Sequence, residues 1–170
     1  MIPKEFYENI SRQAIQMIET GTGPSDILYF LALAADKAGG SGTAASILVL
    51  DDQGLLRNGA SPQLPRDYLQ KIDGLRPDPN LGTCAAAAAT GSIVLTPDFY
   101  ADSKWAELRH LPISLGYAGA WSMPIKTPDN KVLGTFGTYF REKRKPSPEE
   151  MKGIELLVSA AVVVLSTPLT

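Results

Sequence analysis

One segment concentrates the residues that could do chemistry: Leu81-Gly82-Thr83-Cys84-Ala85, with the alanines running on through Ala89. Cys84 is the only cysteine in the chain and His110 the only histidine. Gly82 makes a turn ahead of a small-residue helix that Gly91 stops. At a helix start the first N–H groups have no intrahelical partner and carry a partial positive charge, so they can hold an anion. Alanines from Ala85 onward leave those donors reachable, and Thr83 can cap the helix or add a hydroxyl. The same alanines suit close packing against a sheet or another helix, and both readings can hold together.

A second helix start falls at Asp102-Ser103-Lys104-Trp105, and two sets of N–H groups could converge on one ligand. Tyr100, Trp105 and Trp121 could wall such a site and exclude water, although Trp121 also reads as plain core and Trp105 as packing. The candidate ligand-binding set is therefore Leu81, Gly82, Thr83, Cys84, Ala85, Tyr100, Trp105 and Trp121. Position at a helix N-terminus should lower the thiol pKa of Cys84. Catalysis would also need a base, and His110 within "ELRHLPI" shows no spacing that pairs it with Cys84. A small buried hydrophobe is the competing reading of Cys84. Arg109 could neutralise an anion or lie in solvent. No catalytic residue, metal ligand or cofactor is expected.

The remaining composition narrows the classes. A chain of 170 residues suits one domain with a core of its own. Hydrophobic residues are 44% and charged residues 20%, as in ordinary globular domains. A formal net charge of −2 gives no footprint for nucleic acid, and the local "REKRK" run reads as a solvated turn. One cysteine excludes an internal disulfide and a multi-cysteine zinc site. No segment has the length of apolar sequence that a membrane helix needs, and the N-terminus lacks a secretory pattern. The expected location is cytoplasmic.

The elements that must position these residues follow from periodicity. Residues 4–20 and 26–38 show helical spacing, with Ser25 or Asp26 able to cap the second helix. "ASILVL", "DDQG" and "LLRNGA" form a hairpin, and "PRDYLQKIDGL" a short helix. After the alanine helix comes the strand "SIVLT", then an irregular helical excursion over 97–119. A second hairpin joins "AWSMPIK" to "VLGTFGTYF" through "TPDN". A closing helix starts at Ser147, with Glu150 in the capping-box position. Its apolar surface is wider than one sheet face needs, so the N-terminal helix or another subunit must cover the excess. The order α-α-β-β-α-α-β-α-β-β-α describes an α+β fold. Residues 1–24 carry the N-terminal helix and 25–170 the main domain, as one compact unit.

"LGTCA", "IVLTPDFYADSKWAELR", "AWSMPI", "LGTFGTYFRE" and "KPSPEE" occur in an order that resembles a GAF domain. The nearest pattern is the subfamily running from Gly-Ser-Cys-Gly to Cys-Trp-Ser-Pro-Ile. The resemblance covers roughly residues 25–165. It implies a central antiparallel sheet with terminal helices on one face and short ligand-pocket helices and loops on the other. It further implies a sensory module that binds a small molecule, and the chain is also similar to short nitrate-receptor GAF proteins that act beside two-component kinases. On that likeness the expected ligand is a small anion such as nitrate. The expected partners are a sensor histidine kinase and a second copy joined through the terminal helices.

The chain departs from the family pattern in two places. Ala85 stands where the family commonly has glycine, and Ala120 where it often has a second cysteine. The second departure speaks against the methionine-sulfoxide-reducing GAF enzymes. The NKFDE-type motif of cyclic-nucleotide GAF domains is absent. A small organic metabolite and a ligand-free dimerisation module remain alternatives. Pro97, Pro112, Gly116 and Gly119 suit a mobile lid over the pocket.

Overall fold

The computed structural model describes residues 2–166. Helix α1 spans Lys4–Glu19 and α2 spans Pro24–Gly39. They lead into strands β1 (Thr43–Leu50) and β2 (Leu56–Ala60). Helix α3 covers Arg66–Ile72, α4 covers Thr83–Thr90, and β3 covers Val94–Thr96. Two short 3₁₀ turns, Phe99–Ala101 and Ser103–Trp105, precede α5 at His110–Ser114. Strands β4 (Gly119–Lys126) and β5 (Val132–Phe140) form a hairpin, and α6 (Pro148–Ser166) closes the chain.

The strands make one five-stranded sheet in the order β2-β1-β5-β4-β3, and every pairing is antiparallel. This is the α+β architecture expected from the element order. Side-chain alternation gives the two faces different chemistry. Ala45, Ile47, Trp121, Met123, Ile125, Phe136 and Phe140 point to a core shared with α1, α2 and α6. Ala44, Ala120 and Tyr139 point the other way, into a second cluster with Tyr68, Phe99, Trp105 and Tyr117. α4 lies on this second face, where Ala85, Ala86 and Ala87 are almost fully buried. The alanine run thus brings a helix close to the sheet, as the packing reading requires.

The cap of α2 differs from expectation and that of α6 agrees with it. α2 starts behind Gly23 with Pro24 in its first turn and no side-chain cap, so neither Ser25 nor Asp26 serves. Proline there needs no N–H partner and has its φ preset for a helix. α6 has the reciprocal box: Glu150 N–H donates to Ser147 Oγ at 3.1 Å, and Ser147 N–H to Glu150 Oε1 at 3.0 Å. The wide apolar surface of α6 is met by α1, where Tyr7 packs on Gly153 so closely that a Cβ at Gly153 would lie 2.4 Å from the ring.

Candidate functional site

α4 begins at Gly82, whose φ of 72° lies in the left-handed region that favours glycine. The Trp105 ring lies 3.6 Å from where a Cβ of Gly82 would be, and Gly82 N–H donates to the Lys104 carbonyl at 2.9 Å. A cavity of about 20 Å³ lies between this turn and the sheet. That is roughly the room of one water-sized group. Leu48 of β1, Tyr68 and Ile72 of α3, Leu75, Leu81 to Ala85, Trp105, Leu108 and Tyr139 of β5 line it.

Of the expected ligand residues, Leu81, Gly82, Thr83, Cys84, Ala85 and Trp105 are brought to this lining. Tyr100 and Trp121 are not. Tyr100 is 63% exposed on a 3₁₀ turn, outside the site. Trp121 is 1% exposed on the helix-covered face of the sheet. It pairs with Thr138, one residue short of Tyr139, and a one-residue step along a strand reverses the face. His110 is exposed on α5 and does not line the cavity.

Thr83 has a different role from the cap expected of it. Trp105 Nε1–H donates to Thr83 Oγ1 at 2.8 Å, and the Thr83 and Thr96 hydroxyls are 2.8 Å apart. Thr96 donates onward to Asp102 Oδ2 at 3.0 Å, so the proton between the two threonines comes from Thr83. Burial pushes the Asp102 carboxyl up, but the Lys104 ammonium and N–H and the Thr96 hydroxyl outweigh it and hold the carboxyl below its ordinary range. This relay ties the 97–119 excursion to α4 and β3. Phe99 is fully buried, and Arg109 donates to the carbonyls of Tyr100 and Asp102. The relay fixes the first part of the excursion, through Asp102 and Trp105, against α4 and β3.

The second helix start spends two of its N–H groups on Asp102. Lys104 N–H is taken by Asp102 Oδ1 and Trp105 N–H by the Asp102 carbonyl, each at 3.0 Å. Only the α4 start faces the cavity, and it has no side-chain cap.

Cys84 is part-exposed as a residue, yet its sulfur lies inward over Gly137. Burial pushes the thiol up, against the lowering expected at a helix start. The Ser122 and Thr135 hydroxyls approach closely enough to favour the thiolate, but neither reaches hydrogen-bond geometry, and desolvation wins. Sequence reasoning passed over Tyr68, Tyr139, Leu48, Ile72, Leu75 and Leu108. Strand alternation from Gly137 would have placed Tyr139 on this face; Tyr68 carries no comparable signal. Among the described residues no group of His, Cys, Asp and Glu could hold a metal ion, and no helix is long and apolar enough to cross a membrane.

Comparison with known proteins agrees with this fold. The GAF domain family model matches residues 22–166. The methyl sulfide methyltransferase-associated sensor of Methanosarcina acetivorans is 32% identical over 154 residues, 89% of this chain but only 15% of that protein. The GAF domain from an Acinetobacter phosphoenolpyruvate-protein phosphotransferase superposes with a TM-score of 0.72 at 16% identity, covering 98% of this chain and 95% of that one. Reduced fRMsr of Staphylococcus aureus superposes at 0.70 with 15% identity, covering 94% and 95%. At these identities the two structures speak to the fold alone. A family match over most of the chain, on a sheet with helices on both faces, makes this protein a member of the GAF domain family.

Proposed function

We propose that this GAF domain is a sensory module that binds a small anion such as nitrate at the start of α4. Occupancy would be relayed to a partner signalling protein such as a sensor histidine kinase. The observation that carries the reading is a small cavity at an uncapped helix start, whose first N–H groups carry a partial positive charge. Unpaired backbone N–H groups at that start suit a weakly hydrated anion over a cation. The small volume disfavours a chromophore or nucleotide. The M. acetivorans relative, named a sensor, supports a signalling role. Binding is favoured over catalysis because the chain's one cysteine has a raised pKa and its one histidine lies outside the cavity.

The proposed assembly is a homodimer through the terminal helices. Val163 on α6 is 42% exposed, and on α2, which packs beside α1 and α6, Tyr29 and Leu33 are 49% and 43% exposed. Light scattering should give twice the chain mass; a monomer across a wide concentration range would reject the dimer.

The ligand test is thermal unfolding of stripped protein with nitrate, nitrite, chloride, sulfate, phosphate and short carboxylates at constant ionic strength. Saturation at a hundredfold excess over Kd raises the midpoint by about 5–10 °C. Ala85→Leu should abolish the response by filling the helix start. A response to a short carboxylate alone would favour an organic metabolite, and a flat panel would remove the anion reading.

A further inference from the structure

Two buried phenols in the cavity lining share one hydrogen bond although they have two protons. Tyr68 of α3 and Tyr139 of β5 meet hydroxyl to hydroxyl at 2.7 Å. They are 4% and 5% exposed, and their rings pack edge to face at 5.9 Å. Whichever phenol donates, the proton of the other is left over. Among the described residues no hydrogen bond takes it up. Thr83 Oγ1 is engaged with Trp105 and Thr96, and the Cys84 sulfur is at best a weak acceptor. A buried donor without a partner is unfavourable, and a ligand oxygen in the cavity would relieve it.

The charge of the lining limits that ligand. Lys104 is paired with Asp102, and Arg109 is spent on backbone carbonyls. A doubly charged anion would enter with no cation to meet it, which desolvation opposes strongly. A singly charged one would meet the phenol and the partial charge of the α4 start.

We infer that the Tyr68–Tyr139 pair is the specificity-determining element of the cavity, its spare proton restricting occupants to small oxygen acceptors carrying at most one negative charge. The class comprises monovalent oxyanions and short monocarboxylates, and the inference rests on the binding reading above. Burial raises the pKa of both phenols, so each stays protonated and able to donate at neutral pH. The part-exposed Leu75, Leu81 and Leu108 are the lining side chains free to yield as a ligand of several atoms enters.

The test is isothermal titration of the full chain with nitrate, acetate and sulfate at matched ionic strength, on wild type, Tyr68→Phe, Tyr139→Phe and the double variant. Nitrate or acetate should bind wild type, and sulfate should not. Each single variant keeps one phenol within reach and should bind within about threefold of wild type. The double variant should bind about ten- to a hundredfold more weakly. It should still unfold at or above the wild-type midpoint without ligand, because removing both hydroxyls leaves no orphan. A double variant that binds like wild type overturns the role of the phenols while leaving the cavity reading intact. Sulfate binding as tightly as nitrate overturns the charge limit. No binding of nitrate or acetate to wild type overturns both this inference and the reading beneath it.

Discussion

Gly137 and Cys84 are in contact through the one space a side chain on Gly137 would occupy: a Cβ there would lie 2.9 Å from Cys84 Sγ. The position of α4 over the sheet therefore depends on a missing side chain in β5. Gly137→Ala should destabilise the protein by about 1–3 kcal/mol in urea unfolding through overpacking. In a Cys84→Ala background the same change should cost clearly less, because the opposing sulfur is gone. Additive effects in the double-mutant cycle would mean that the two residues do not couple.

Thr83 holds the indole of Trp105 and the hydroxyl of Thr96 at once. Thr83→Val should cost about 1–3 kcal/mol, since it leaves a buried indole N–H without an acceptor. Thr83→Ser retains the hydroxyl and should stay much closer to wild type. Chemical denaturation of both variants decides; a Thr83→Ser loss as large as that of Thr83→Val would show that the hydroxyl alone does not carry the effect.

Asp36 is 7% exposed, and its Oδ1 accepts the Ala45 N–H at 2.6 Å while Oδ2 has no partner. Burial pushes its carboxyl above the ordinary value of 3.8; the Ala45 bond and the nearby Gln63 amide, which itself donates to the Thr43 carbonyl, only partly oppose this. A raised folded pKa means that this group's contribution is full below about 3.8 and is lost as pH rises through the higher folded value. Asp36→Asn should therefore raise stability at pH 7 relative to wild type and remove that loss. Unfolding midpoints from pH 4 to 7 test it, and an unchanged pH slope would count against the assignment.

Glu150 behaves with the opposite sign. Burial pushes its carboxyl up, but the paired Arg144 guanidinium, at 2.7 and 3.0 Å, and Ser147 outweigh it and hold it below 4.5. Its contribution is present above pH 4.5 and falls away as pH drops through the depressed folded value. Glu150→Ala should cost about 1 kcal/mol at pH 7 through loss of the helix cap. The difference from wild type should shrink in acid; a constant difference at all pH values would show that only the neutral cap matters.

Much of the fold was legible because its signals are local. Apolar spacing set the terminal helices, "DDQG" and "TPDN" marked both hairpin turns, and Ser147 with Glu150 announced the start of α6. The candidate site was legible only where the same local logic applied, from Leu81 to Ala85 and at Trp105. Tyr100 and Trp121 are aromatics able to wall a site, but aromatic character says nothing of which face a residue occupies. The cap expected of Thr83 was overridden by Trp105 and Thr96, partners 22 and 13 residues away.

The sequence by itself determined the element order, the α+β class and the small-residue helix start, because backbone propensity and periodicity act over a few residues. Tertiary structure decided which side of the sheet each aromatic faces and that Tyr68 meets Tyr139 across 71 residues. It also decided that the Cys84 thiol is raised and not lowered. The physical reason is shared by all three: desolvation and hydrogen-bond partnership depend on what the folded chain brings to a point, and no local pattern encodes that.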